Sequence, residues 1–231
     1  MSIDNSLKAV REIIKNSAAK SGRNPADIKL VAVSKKIDLE LIIEAVKAGA
    51  TILGENRIQE AKDKITNYEL RITNYKPEWH LIGNLQKNKA RHAVQLFDLI
   101  HSVNDIALAE ELNRQAEKIN KIQKVLLQVK LSDEETKHGI LEENLMELIE
   151  KVSGMNNLKL EGFMTMPPFF EDIENTRPYY RKLKELSGEA IKNGYPINEL
   201  SMGMSNDFPV AIEEGSTMVR VGTAIFGKRS Y

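Results

Sequence analysis

The stretch IKLVAVSKKIDLELIIEAV, residues 28–46, decides how this chain folds. It opens as an apolar run of strand length and closes as a helix, because Leu39, Ile42, Ile43 and Val46 recur at the spacing that puts side chains on one helical face. Asp38 stands where an N-cap belongs. At the join lie two adjacent lysines, Lys35 and Lys36. Solvated cations at an element end are commonplace. An amine held at a strand end for carbonyl chemistry is rarer, and the rest of the chain has to separate the two readings.

Outward from this unit the same pattern recurs. Short apolar runs at 28–34, 51–54, 79–83, 98–103, 124–130, 159–166, 199–203 and 217–222 make eight candidate strands. Helix-period segments lie between them, one carrying Leu141, Leu145, Leu148, Ile149 and Val152 on a single face. Asp105 and Asp207 are further candidate N-caps. Alternating strands and helices call for a parallel sheet, and eight repeats with no leftover hairpin predict an α/β fold, a closed (β/α)8 TIM-type barrel rather than an open doubly wound sheet. An extra N-terminal helix over about 6–19, with Leu7, Val10 and Ile14 on one face, is expected to plug or flank the barrel floor. The expectation is a single domain over 1–231, with 1–27 as helix and lead-in and 28–231 as barrel. The string ITNY occurs at 65–68 and again at 72–75; it reads as an extension of a surface helix or loop, away from chemistry.

Composition limits the function classes. Lys plus Arg equals Asp plus Glu, 33 against 33, so no global field draws the 231-residue chain to nucleic acid or an anionic membrane, and neither is an expected partner. With no cysteine, disulfides, thiolate catalysis and cysteine-ligated metal centres are excluded. The N-terminus is charged throughout and no apolar stretch reaches membrane-spanning length, so a cytoplasmic protein is expected, and a monomer.

Chemistry in such a barrel belongs at the C-terminal ends of the strands. After the seventh candidate strand comes SMGMSNDF, 201–208; the eighth runs into VRVGTAIFG, 219–227. Both loops offer small residues whose N–H groups can approach an anion, with hydroxyls at Ser205 and Thr223, and these are the loops where such barrels build a phosphate cup. Closure sets the first strand beside the eighth, and so Lys35 or Lys36 beside the cup. A phosphate site next to a strand-end lysine suggests a ligand with a phosphate and an aldehyde, pyridoxal 5′-phosphate. Each loop alone is ordinary turn chemistry. Alternation puts Val31, Val33 and Lys35 on one face and Ala32, Ser34 and Lys36 on the other, and since both faces of a barrel strand are apolar, periodicity permits either lysine.

The stretches VAVSKK (31–36), GENRIQE (54–60), WHLIGNLQKNK (79–89), SDEETKHG (132–139), LSMGMSNDF (200–208) and GSTMVRVGTAIFG (215–227) together resemble the YggS/PROSC family of pyridoxal phosphate homeostasis proteins. The resemblance runs from about residue 28 to the C-terminus. The family's barrel is similar to the N-terminal domain of bacterial alanine racemase, fold type III among pyridoxal phosphate proteins. It implies that Lys35 forms the Schiff base, with Lys36 a solvated neighbour whose charge favours the neutral amine at Lys35. It likewise implies that Ser205, Gly222 and Thr223 hold the phosphate, that Arg220 meets the pyridine nitrogen, and that Asn56 and Met204 line the pocket. Arg57 stands where family members often carry an aromatic. A guanidinium has only donors, so a ring nitrogen it meets stays unprotonated, which weakens the cofactor as an electron sink.

The function implied is reversible binding of pyridoxal phosphate in cofactor homeostasis, buffering it and carrying it to apo-enzymes, without a clear catalytic turnover. Racemization needs a second base; in alanine racemase a tyrosine of the partner subunit supplies it and a second domain closes the site, whereas this chain stops at Tyr231, soon after the eighth strand. The alternatives are a single-domain racemase or related enzyme using Lys35 with a second base such as His80, and a phosphate-ligand enzyme of another (β/α)8 family in which Lys35 is only an electrostatic contact. Other candidates have plain readings. His80 fits a satisfied structural donor better than a ring-side acid or base, and Lys87, Lys89, Arg91 and His92 fit a solvated helix face. Lys137 and His138 fit either a cofactor relay or turn composition. Met164, Met166, Met202 and Met204 read as core or pocket lining, and no spacing of histidine and carboxylate demands a metal.

Overall fold

Strand β1 (Lys29–Val33) is apolar on both faces because each face is buried in a different place. In the computed structural model, which describes residues 2–72, 74–132, 134 and 137–227, Val31 and Val33 pack inside a barrel with Ile52, Leu99, Leu126, Met164 and Met218. Ala32 belongs to the larger apolar layer between the sheet and its surrounding helices. The strands that follow are β2 (Ile52–Glu55), β3 (Glu78–Leu81), β4 (Leu99–Val103), β5 (Gln123–Lys130), β6 (Ile140–Leu141), β7 (Leu158–Met164), β8 (Glu199–Met204) and β9 (Met218–Val221). All pairings are parallel; β1 pairs with both β2 and β9, and β4 pairs with β5, so eight strands close on themselves. The eight correspond to the eight expected from the sequence. The short β6 lies outside the barrel against the end of β5, and two residues are too few for a periodic signal.

The helices are α1 (Ile3–Lys20), α2 (Leu39–Lys47), α3 (Ile58–Arg71), α4 (Ala90–Leu96), α5 (Ile106–Glu117), α6 (Glu142–Ser153), α7 (Arg177–Lys192), α8 (Phe208–Glu213) and α9 (Thr223–Phe226). Helix α1 flanks the barrel and does not plug it: it packs against α2, α8 and α9, burying Leu7, Val10 and Ile14. The reason is visible in the lengths, since α8 and α9 are too short to cover their side of the sheet alone. At the N-terminal ends of the strands, Lys29 of β1 pairs with Glu199 of β8. Among the described residues no helix is long and apolar enough to cross a membrane.

Three local expectations need correction or refinement. Of the three aspartates expected to cap, Asp38, Asp105 and Asp207, only Asp105 does so with its side chain, accepting from the Leu108 N–H at 2.7 Å, a bond worth about 1 kcal/mol to α5. Asp38 occupies the N-cap position of α2 without such a bond, and the Asp207 carboxylate is drawn elsewhere, to the Met204 N–H and the Tyr180 hydroxyl. Leu141 is not on the buried face of α6; it lies in β6 and is 46 % exposed. The first ITNY copy is core as much as surface, for Ile65 and Tyr68 of α3 are buried and the Tyr68 ring meets Trp79 edge-on at 6.1 Å. The second copy leaves the helix after Arg71, and its Thr73 lies outside the described residues.

Candidate functional site

At the C-terminal mouth of the barrel a cavity of about 310 Å³ is lined by Lys35, Asn56, Met204, Ser205, Arg220, Gly222 and Thr223, all seven residues singled out in the sequence, together with Lys137. The two adjacent lysines part company here. Lys35 continues the inward face of Val31 and Val33 and is half-buried against the cavity. Lys36 is exposed and turns away on a left-handed backbone, φ +56°.

That turn is gripped by α3 and the end of β2. The peptide groups on both sides of Lys35 are held: the Ser34 carbonyl accepts from Lys64 Nζ at 2.5 Å, and the Lys36 N–H donates to Glu60 Oε1. Lys64 also bonds Glu55 Oε1 at 2.9 Å and Glu60 Oε1 at 2.6 Å, while the Ser34 hydroxyl donates to Glu55 Oε1 at 2.7 Å. Glu55 is fully buried, and burial pushes its carboxyl up against the opposing pull of Lys64. Its Oε2 has no hydrogen-bond partner.

Across the cavity the loops after β8 and β9 meet. Ser205 Oγ accepts the Gly222 N–H at 3.1 Å, tying the loops together. Gly222 sits against β1 so closely that a Cβ there would lie 3.3 Å from the Val33 Cβ. Gly203, which starts the turn into the Ser205 loop, has φ +91°, and a Cβ would come within 2.6 Å of Ala211 Cβ and 2.9 Å of Phe208 Cα; only glycine fits.

Arg220 rises from inside the barrel. Its guanidinium donates to Ser201 Oγ at 2.6 Å and to the Thr165 carbonyl at 3.0 Å. Burial pulls its pKa down to about 10, with Tyr180 and Asp207 working the other way, so it remains a cation at neutral pH. Asn56 contributes a buried Oδ1 with no protein partner.

Other candidates fall elsewhere. His80 does not line the cavity; it bonds His101 and Glu78 within the barrel. His138 is not a lining residue, and its carbonyl accepts from Gln128. Lys87, Lys89, Arg91 and His92 are exposed on the 3-10 turn Lys87–Lys89 and α4, and Arg57 is exposed just before α3. Met166 and Met204 line the cavity, whereas Met164 and Met202 are core. The sequence reading overlooked the wall after β7, Pro167, Pro168, Phe169 and Phe170, together with Ile82 and Thr176. Two prolines bar continuation of the strand and so mark a loop, but the sequence does not say where the two aromatics after them point.

Residues 6–230 match the family model described as alanine racemase, N-terminal domain. A protein of Aquifex aeolicus named pyridoxal phosphate homeostasis protein is 43 % identical over 226 residues, covering 97 % of each chain. The chain belongs to the pyridoxal phosphate homeostasis protein family. Two solved structures resemble this family member throughout. PipY of Synechococcus elongatus, solved with pyridoxal phosphate bound, is 36 % identical with a TM-score of 0.82, covering 93 % of this chain and all (100 %) of that one. An unknown protein from Bifidobacterium adolescentis is 33 % identical with a TM-score of 0.91, covering 97 % and 94 %.

Proposed function

We propose that this protein binds pyridoxal 5′-phosphate reversibly, as a Schiff base on Lys35, and serves cofactor homeostasis by buffering it and delivering it to apo-enzymes, acting in the cytoplasm as a monomer. One observation carries the reading: a single cavity brings together a half-buried amine at Lys35, a two-loop cup at Ser205, Gly222 and Thr223, and the fixed cation of Arg220. The residues fit the group. The volume suits a small cofactor, the cup offers backbone N–H and hydroxyl donors to a phosphate, and the unpartnered Asn56 Oδ1 offers a polar contact to the ring substituents. When bound, the cofactor supplies an aldehyde that a primary amine captures with loss of water.

The chain's own residues favour storage over turnover. Among the described residues no histidine or tyrosine lines the cavity, so a second base opposite Lys35 is not provided by either residue type. Asp207 does line it, but both its oxygens are engaged, one by the Tyr180 hydroxyl at 2.7 Å and one by the Met204 N–H at 2.6 Å. Arg220 presents donors only, which keeps a ring nitrogen unprotonated and the electron sink weak.

The experiment is an absorbance spectrum of wild type and Lys35→Ala with added cofactor, before and after borohydride, followed by peptide mapping. A visible band abolished by borohydride, with the adduct on Lys35, supports the reading. No band, or an adduct on Lys36, overturns it. Turnover of an amino acid lost in Lys35→Ala would favour the single-domain enzyme instead.

A further inference from the structure

Beneath the cavity, the barrel interior holds polar groups that the proposed binding chemistry does not use. His101 and Ser201 are fully buried and His80 is 1 % exposed, inside a barrel otherwise filled with Val, Ile, Leu and Met. They form one chain. Arg220 Nη1 lies 2.6 Å from Ser201 Oγ, Ser201 Oγ lies 3.0 Å from His101 Nδ1, His101 Nε2 lies 3.1 Å from His80 Nδ1, and His80 Nε2 lies 3.3 Å from Glu78 Oε2. The chain starts at the cavity lining and ends on the barrel floor, where the Glu78 side chain is 57 % exposed.

The two ends fix the direction of the outer bonds, and the Ser201 hydrogen decides those between. A guanidinium can only donate and an ionised carboxylate can only accept. Ser201 therefore accepts from Arg220 and must place its own hydrogen, for which His101 Nδ1 is the acceptor within reach. His101 then carries its hydrogen on Nε2 and donates to His80 Nδ1, and His80 donates from Nε2 to Glu78. The opposite polarity, with His101 donating to Ser201, would leave a buried hydroxyl hydrogen with no acceptor, at the cost of an unmade hydrogen bond. Burial, reinforced by the Arg220 cation, holds the His101 pKa well below its usual value, consistent with a neutral ring. The Glu78 carboxyl is lowered, chiefly by its bond from His80, with burial opposing and Lys124 and Lys29 assisting.

We propose that Glu78, His80, His101 and Ser201 are positioning residues for Arg220, a hydrogen-bond relay polarised from cavity to floor that fixes the orientation of the guanidinium and so of the N–H groups it turns to the ligand. The relay takes up one edge of the guanidinium, the Thr165 carbonyl takes another N–H, and the remaining donors are left to the cavity. Its bearing on the bound ring rests on the pyridoxal phosphate reading; the polarity of the relay does not. A change at Glu78, on the far side of the barrel, is then felt at the ligand's ring nitrogen through four intervening side chains, His80, His101, Ser201 and Arg220.

The test uses ring-nitrogen NMR of the 15N-labelled, ligand-free protein at neutral pH. With four histidines in the chain, assignment needs only His92→Gln and His138→Gln, both away from the relay. The expected result is that His80 and His101 are both neutral with hydrogen on Nε2, and that Glu78→Gln, an exposed floor substitution that should leave the fold intact, alters the signals of both rings. Either ring doubly protonated, or carrying its hydrogen on Nδ1, overturns the relay. In the second arm, Ser201→Ala is expected to shift the absorption maximum of the cofactor-loaded protein and to weaken cofactor binding about tenfold, the loss of one charge-assisted hydrogen bond, with Ser201→Thr restoring both. Wild-type absorption and affinity in Ser201→Ala would also overturn the proposal. Absence of any cofactor band in the wild type sinks the binding reading alone, because the ligand-free ring spectra still decide the relay.

Discussion

The ammonium of Lys64 lies 2.5 Å from the carbonyl oxygen of Ser34, the residue immediately before Lys35. Lys64 is only 12 % exposed at its side chain and shares the fully buried Glu55 with the Ser34 hydroxyl. Removing it as Lys64→Met leaves the buried Glu55 without its cation, and breaking such a pair costs about 3–5 kcal/mol. The expected outcome is a lower urea midpoint and less borohydride-fixable cofactor at sub-saturating concentration. Lys64→Arg should recover part of both. Unchanged cofactor capture in Lys64→Met would show that the backbone of Lys35 needs no grip from α3.

Ser205 ties the two cup loops by accepting the Gly222 N–H at 3.1 Å. Ser205→Ala removes that tie and a hydroxyl from the cavity wall. Affinity for pyridoxal 5′-phosphate should fall about tenfold while affinity for unphosphorylated pyridoxal changes little, since a hydrogen bond to a charged group contributes about 1.5–3 kcal/mol. Parallel absorbance titrations with the two ligands separate the cases; an equal loss for both would place the phosphate elsewhere.

Gly203 holds φ +91° with no room for a Cβ. Gly203→Ala should destabilise the protein by about 2 kcal/mol or more, from backbone strain and overpacking against Ala211 and Phe208. Urea unfolding measures this, and a wild-type midpoint would mean that the turn after β8 relaxes without cost.

Arg177 joins α7 to α8 and its following turn through Glu174, Glu213 and Glu214, each at 2.7–2.9 Å. Glu174 is lowered chiefly by its bond from Arg177; burial would raise Glu214, but bonds from Arg181 and Arg177 outweigh it and the net shift is down. A carboxyl lowered in the folded state binds fewer protons there than when unfolded, so its stabilisation is present above the ordinary 4.5 and is lost as pH falls through the folded value. Wild type should therefore lose thermal stability between neutral and acid pH more steeply than Arg177→Met. Equal slopes would show that this cluster contributes nothing to acid sensitivity.

Much of the fold was legible because the signals are local. Val31, Val33 and the Leu39–Ile42–Val46 face announce a strand and a helix from adjacent residues, and eight such repeats call for a closed barrel. The meeting of Lys35 with the loops after the last two strands was legible for a related reason: those loops must lie beside the first strand once the barrel closes. The wall at Phe169 and Phe170 was not, because an apolar run after a strand reads equally as core until the loop's path is known. Nor was the inability of Asp207 to cap α8, since that depends on Tyr180, 27 residues earlier, claiming its carboxylate.

The sequence by itself determined the element order, the strand count and the two places where chemistry could sit, since periodicity and turn residues act over a few positions. The resemblance pointed to Lys35, but which of the two lysines faces the cavity took the tertiary structure. Both faces of β1 are buried, so hydrophobicity could not tell inside from outside; closure of the barrel turned Val31 and Val33 inward and carried Lys35 with them. The same closure set His80 against His101 and Ser201 against Arg220 across strands far apart in the chain. Pairings of that kind depend on which side chains share the barrel interior, and no local pattern encodes them.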